Sequence, residues 1–360
     1  MQFNLPLRTN ARESEVSAIS RQVRGRNGEL LLVISGLVGL TFFASASEAA
    51  EQWFPLRNNN PFLQAYGLPP YQGGALVADG EFAYSISLDI ANHAAQGMTD
   101  SESIFIDGES YLLLLSLRYG ATPWLELGID LPLVSHTDGV FDKAIESWHD
   151  LWGLSNTKRR GPPNQLRFNY ENPLASNFEL IRPSTGIGDV QVHASIPIKR
   201  SNARGSSAIA LRSSIEIPTG DTRTLRGSGA FDFSLGLYAT DFTTLAKRGL
   251  QFSGFIGVLL PGEGDLFPAI ERSAVAFGGV GAKWQLTDKF GIAAQTYAQG
   301  SYLESELDEI GDPSVQLALG GTYRFPKKRF ELAFAIVEDI IADPTADIGF
   351  HFSVRVCGGD

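Results

Sequence analysis

Downstream of residue 75 the chain alternates apolar and polar residues in short runs. In residues 76–90 the even positions are Leu76, Ala78, Gly80, Phe82, Tyr84, Ile86, Leu88 and Ile90. The odd positions are Val77, Asp79, Glu81, Ala83, Ser85, Ser87 and Asp89. Successive side chains of a strand point to opposite faces, so one face is apolar and the other hydrated. Residues 104–119 repeat the pattern through Tyr111, Leu113, Leu115, Leu117 and Tyr119, and residues 124–134 set Leu125, Leu127, Ile129, Leu131 and Leu133 against Glu126 and Asp130. Further runs lie at 186–198, 206–217, 230–241, 250–260, 273–286, 289–301, 314–325, 329–338 and 347–356. The run at 250–260 alternates least clearly. The pattern predicts twelve strands, each near or above the about 9–11 residues that a tilted strand needs to cross a bilayer.

The links between the runs sort into two kinds. YGATPW, IKRSNARGSS, DFTTLAKRGL, LTDK and FPKKRF are short or moderate, whereas 91–103, 135–185, 218–229, 261–272, 302–313 and 339–346 are mostly longer. Short turns on one side and long loops on the other is the pattern of an outer-membrane barrel, with the short turns in the periplasm. Aromatic residues gather at the short turns: Tyr119 and Trp124, Trp284 and Phe290, Phe325 and Phe330. Amphipathic rings favour a membrane interface, and the grouping predicts one aromatic girdle. A soluble two-sheet protein is the competing fold, but its strands are usually shorter, about 5–6 residues.

The N-terminus fits export. Residues 30–43, LLLVISGLVGLTFF, follow Arg21, Arg24 and Arg26 and precede the small residues ASASEAA. That order predicts a secretory signal peptide over 1–49, the run being shorter than the about 20 residues of a membrane-spanning helix. Residues 50–75 carry Pro55, Pro61, Pro69 and Pro70, and the last three exclude a ladder strand. This segment reads either as a periplasmic leader or as a plug anchored in the lumen by Trp53, Phe54, Phe62 and Tyr66. The barrel is expected over 76–356, followed by a tail at 357–360.

Composition narrows the partners. Residues 1–50 hold five of the 29 Lys+Arg and four of the 40 Asp+Glu, leaving 24 basic and 36 acidic residues, a net charge of −12. That acidity argues against nucleic acid. The single cysteine, Cys357, excludes an internal disulfide. The expected partners are outer-membrane lipid, the barrel-assembly machinery and a small solute. No cofactor or metal is expected, and nothing in the sequence sets an oligomeric state.

Charged residues decide which face is the lumen. A lipid-facing Arg or Lys near the midplane costs about 2–4 kcal/mol. The charged residues off the apolar faces therefore point inward. Asp79, Glu81, Arg118, Glu126, Asp130, Asp189 and Arg212 are the candidates for lining the lumen and setting selectivity.

Four stretches carry a family resemblance: NPF (Asn60 to Phe62), LPLVSHTDGVFDKAIESWHDLWGL (Leu131 to Leu154), GIGDV (Gly186 to Val190) and EIPTGD (Glu216 to Asp221). Over about residues 58 to 356 the chain resembles the Gram-negative envelope proteins grouped as domain-of-unknown-function family 3187. The I-P-T-G-D strand ending is also common among outer-membrane transporters of aromatic compounds. The resemblance implies an outer-membrane barrel and supplies no catalytic residues.

The loop 135–185 departs from the strand rhythm. Phe141, Ile145, Trp148 and Trp152 lie at helical spacing, which predicts an amphipathic helix over 141–152. Such a helix can narrow the barrel mouth as a lid, lie on the membrane interface or dock a partner. His136, Asp142, Trp148, His149 and Trp152 are the lid candidates. A metal site there is unfavourable, since Asp142 and His149 would stand about 10 Å apart along the helix. Three functions follow. The first is a passive channel or diffusion transporter for a small solute. The second is an outer-membrane lipid hydrolase, for which Ser135 and His136 are poorly placed because strand neighbours face opposite sides. The third is a non-conducting barrel that docks partners through acidic loops such as Leu303 to Asp312.

Overall fold

The computed structural model describes residues 53–142, 164–173, 176–200, 207–241, 245, 248–325, 330–341 and 344–356. Twelve strands close an antiparallel barrel. They are β1 (Phe82–Met98), β2 (Ser103–Thr122), β3 (Leu125–Thr137), β7 (Val190–Lys199), β8 (Ala208–Ile217), β9 (Asp232–Asp241), β10 (Leu250–Leu260), β11 (Val275–Gln285), β12 (Phe290–Gln299), β13 (Ser314–Phe325), β14 (Phe330–Ile341) and β15 (Ile348–Val356). The long third loop adds β4 (Arg167–Asn172), β5 (Ser176–Leu180) and β6 (Ser184–Ile187). β15 closes on β1 from Ser85↔Arg355 to Asn92↔Ile348. Closure leaves no unpaired edge in the wall, the condition for a sheet in hydrocarbon.

The outward face follows the predicted alternation. On β9, Phe233, Leu235 and Leu237 are exposed, while Asp232, Ser234, Tyr238 and Thr240 are buried. Rings pack at the short-link end: Phe82 on Tyr119 at 4.5 Å and Phe325 on Phe330 at 4.6 Å. Trp284 Nε1 donates to the Arg248 carbonyl at 3.0 Å, so the polar tip of that ring is satisfied beside the turn. Among the described residues no helix is long and apolar enough to cross a membrane, which says nothing against crossing by strands.

Two boundaries differ from the sequence reading. The first strand begins at Phe82 and runs to Met98, rather than spanning 76–90. The amide of Val77 is taken by Glu126 Oε2 at 2.7 Å, which holds residues before the turn inside the barrel. Gly80, at φ 74°, then turns the chain into β1. At the other end β1 and β2 continue as a hairpin through Met98↔Ser103, where the sequence was read as a loop over 91–103.

Alternation on β9 yields a test. Leu237 is 43% exposed on the outward face and lies mid-strand. Leu237→Arg is expected to lower stability by about 2–4 kcal/mol in lipid vesicles, read from urea unfolding curves. No loss on Leu237→Arg in lipid vesicles would contradict the assigned orientation.

Candidate functional site

The lumen is filled by the chain's own N-terminal segment. Trp53, Phe54, Leu56, Phe62, Leu63, Tyr66, Leu68 and Tyr71 are all buried. Contacts along the segment trace a hairpin with one arm rising and one returning. Trp53 meets Tyr71 near the short-link end, its carbonyl receiving Arg355 at 3.3 Å. Asn58 Nδ2 reaches the Pro344 carbonyl at 2.7 Å and Asn60 Nδ2 reaches the Glu309 carbonyl at 3.2 Å, both in long-loop territory. The returning arm passes Tyr66 and Tyr71 and ends where Val77 meets Glu126.

An irregular chain buried in a barrel needs donors and acceptors from the wall. Phe54 exchanges both backbone bonds with the Gln295 amide, at 2.8 and 3.0 Å. Gly67 N donates to Asp232 Oδ2 at 2.8 Å, Gly74 N to Thr240 Oγ1 at 3.0 Å, and Tyr297 OH donates to the Pro69 carbonyl at 2.8 Å. Arg212 does most: it donates to the Gly73 carbonyl at 3.0 Å, the Ala75 carbonyl at 2.8 Å and Glu126 Oε1 at 2.6 Å. Gly74 is needed for this approach, because a Cβ there would stand 2.6 Å from the Ala208 carbonyl oxygen. Packing adds to the bonds: Tyr71 sits edge-on to Phe255 at 4.9 Å, and Phe255 stacks on Tyr238 at 5.0 Å.

Satisfaction is incomplete along the inner hairpin. Among the described residues, buried Arg57 Nε, Gln191 Oε1, Glu216 Oε1, both Gln299 amide atoms, Tyr302 OH and Gln316 Oε1 have no hydrogen-bond partner. These atoms lie on the segment itself, on β7, β8, β12 and β13, and at Tyr302 just beyond β12.

The long-loop end closes over the hairpin. Phe62 packs on Phe178 at 5.7 Å and on Phe267 at 5.8 Å, and Tyr170 meets Phe267 edge-on at 5.3 Å. Leu225, Phe267, Leu303, Leu307 and Ile310 are buried in the same cluster. Tyr66 OH donates to Glu271 at 2.8 Å; burial, then that carboxylate, raises its pKa well above the ordinary tyrosine value, so it remains a donor. The loop 303–312, read as an acidic docking arm, thus turns its apolar residues inward.

The sequence candidates fall in different places. Arg118 grips Asp130 with two bonds, 2.7 and 3.0 Å, and His193 Nε2 lies 2.9 Å from the same carboxylate. Glu126 and Arg212 hold the inner segment. Asp189 accepts from Gly220 N at 2.6 Å and Ser228 N at 3.0 Å, tying the GIGDV stretch to IPTGD and to the loop that follows it. Gly220 has no alternative there, since a Cβ would collide with the Arg226 carbonyl. Asp79 and Glu81 precede β1 rather than lining the lumen, and Asp79 is exposed.

His136 faces inward. Its Nδ1 lies 2.9 Å from Ser110 Oγ and its Nε2 lies 3.2 Å from the Leu225 carbonyl and 3.4 Å from Gln64 Nε2. Ser135 bonds Thr185 instead, at 2.7 Å, so the two neighbours are separated as strand geometry requires. Asp142 accepts from Asn92 at 2.9 Å and Asn164 N at 2.7 Å. Beside it, Glu109 takes the amides of Val140 and Phe141 at 2.9 and 2.7 Å, on the outward register of β2. Phe141 meets Phe350 at 6.2 Å. The first residues of the predicted helix therefore lie against the outside of the wall. Trp148, His149 and Trp152 lie outside the described residues. Among the described residues no cluster of His, Cys, Asp or Glu could hold a metal ion.

Such an arrangement defines a class: a twelve-stranded barrel that encloses its own N-terminal segment, with the fold of outer-membrane channel proteins. The chain belongs to the family described as "Protein of unknown function (DUF3187)", which matches residues 30–356. Its fold is similar to that of the COG4313 outer membrane channel from Pseudomonas putida F1, with TM-score 0.53 and 10% identity over 81% of this chain and 99% of that one. The NanC porin also matches, at TM-score 0.41 and 9% identity over 76% and 98% of the two chains. So does the Pseudomonas putida toluene transporter TodX, at 0.34 and 11% identity over 85% and 98%. At these identities the likeness bears on the fold alone. No curated protein matches the chain.

Arg212 supplies the site's sharpest test. Arg212→Ala leaves Glu126 buried without its cation and two segment carbonyls without a donor. We expect a loss of about 3–5 kcal/mol, measured by urea unfolding of the refolded protein in detergent. Arg212→Lys keeps the charge but not the fork of donors and is expected to recover only part of it.

Proposed function

We propose that the protein is an outer-membrane channel for a small solute, held closed by residues 53–78 and opened when that segment shifts. The observation that carries this reading is how the segment is held. Individual wall side chains, rather than a continuous ladder, bind its backbone, and several buried polar atoms along it are unmatched. A filling meant only to stabilise the barrel would be expected to be apolar and fully paired, since an unmatched buried group costs about 1–3 kcal/mol. A polar, part-matched interface is one that water or a solute can enter.

The second closure is at the mouth. In this reading the part of loop 135–185 that acts as lid is the β4–β5 hairpin, which sets Tyr170 and Phe178 over Phe62 and Phe267. Asp142 and the start of the 141–152 stretch act from outside, fastening the loop to the wall through Asn92 and Glu109. The exported chain would meet outer-membrane lipid along its apolar face, and the assembly machinery during insertion.

Planar-bilayer recording tests the proposal. The full chain is expected to show small or intermittent conductance, and a chain lacking residues 53–76 a larger, steadier one. Arg212→Ala, which keeps the segment attached but loosens its returning arm, should open more often than the full chain. Silence from all three, each shown to be folded by heat-modifiable mobility, would sink the channel reading.

A further inference from the structure

At the short-link end the two arms of the inner segment do not meet the wall closely. They leave a cavity of about 100 Å³, open on one side, between Trp53 and Pro55 of the rising arm and Pro70, Tyr71 and Val77 of the returning one. The wall contributes four charged residues to its lining, and three are arginines: Arg118, Arg212 and Arg355, with Glu126 the single carboxylate. Trp53 and Tyr71 stand 5.9 Å apart, tilted by 43°, and form an aromatic side.

We propose that this cavity is a binding site for a small organic acid arriving from the short-link side. Ligand sites are concave and mostly apolar, with a few polar groups that fix orientation. Here the apolar body of the ligand would lie against Trp53, Tyr71 and the prolines. Its carboxylate would face Arg355, because Arg118 is paired with Asp130 and Arg212 with Glu126 and the segment carbonyls. Each guanidinium has five N–H donors, so one that already serves a carbonyl or a carboxylate can serve another acceptor. Arg355 donates to the Trp53 carbonyl at 3.3 Å, which joins the cation to the aromatic wall. A planar carboxylate matches the fork geometry of arginine better than a neutral hydroxyl does.

The site is shared by both partners of the closure. A ligand seated there touches the inner segment and the barrel together, so its occupancy bears on how the segment is held. Binding itself is independent of conduction, and the two readings can fail separately.

The test is calorimetric titration of the refolded full chain in detergent with benzoate, benzyl alcohol and inorganic phosphate. Benzoate is expected to bind saturably. Benzyl alcohol, which lacks the charge, should bind about tenfold more weakly or worse, the loss of a charge-assisted hydrogen bond. Phosphate, which lacks the apolar body, should also bind more weakly. Arg355→Gln and Trp53→Ala, each checked for folding by heat-modifiable mobility, should both weaken benzoate. The proposal is overturned if folded full chain gives no saturable benzoate binding, if benzyl alcohol or phosphate binds as well as benzoate, or if both folded variants bind benzoate unchanged. Conductance that rises on deleting residues 53–76 while benzoate fails to bind would leave the channel and remove this site.

Discussion

Everything inside this barrel follows from the hydrogen-bond demand of a proline-broken segment threaded through it. A strand satisfies its amides with its neighbours; the inner hairpin has no ladder, only a cross-arm bond from Tyr71 N to the Leu56 carbonyl at 2.7 Å and a few turn bonds near its tip. Each buried amide or carbonyl left unmatched costs about 1–3 kcal/mol, so wall side chains must reach inward at the right heights. Gln295 and Tyr297 do so from β12, Asp232 and Thr240 from β9, and Arg212 from β8. Their polarity is not that of a water-filled pore lining. It is the complement of one particular backbone path.

That constraint explains the lumen's electrostatics. Charged side chains cannot face lipid cheaply, and inside they cannot stay unpaired cheaply either. The barrel resolves this with compact groups. Asp130 is shared by Arg118 and His193, Arg212 joins Glu126 to the segment, and Asp89 meets His351 Nδ1 at 2.6 Å. Arg118, Glu126, Asp130, Asp189 and Arg212 are thus committed to internal partners, whereas Asp79 and Glu81 precede β1.

The barrel was legible in the sequence because two solvents act on every strand. Lipid demands apolar residues on one face, and the inner face carries the charge, so period-two alternation marks ten or so residues at a time. The inner hairpin was less legible, since no periodicity describes an irregular chain. Its signal was present but indirect. Leu112, Leu114, Phe255, Leu259, Phe277 and Tyr297 are inward-facing and buried, where an aqueous lumen would want polar residues. The run at 250–260 alternates poorly for this reason: Phe255 and Leu259 make its inner face apolar too. The misplaced start of β1 has the same origin. Alternation continues back through residues 76–81, but Glu126 has already taken the Val77 amide, and pattern alone does not reveal which partner an amide finds. Asp79 and Glu81 were drawn into the lumen by that extension.

The stretches that carried the family resemblance gain a common location. Phe62 of NPF packs under Phe178 and Phe267. His136, from the long motif, holds the Leu225 carbonyl, and Leu225 follows IPTGD in a left-handed turn at φ 53°. Asp189 of GIGDV binds the amides that shape that turn. Four segments distant in sequence therefore converge on the mouth, each supplying a tie that the others need. This favours closure, rather than a particular solute, as the property these residues specify. The two ends of the lumen then have different tasks. The long-loop end is aromatic and interlocked, and the unmatched polar atoms of Gln191, Glu216, Gln299, Tyr302 and Gln316 also lie on that side. The short-link end keeps an open cavity with arginines beside the segment's two arms. A displacement of the hairpin would begin most easily there, since fewer packed rings would have to part than at Phe62, and the arms at that end are held chiefly by side-chain bonds that water can replace.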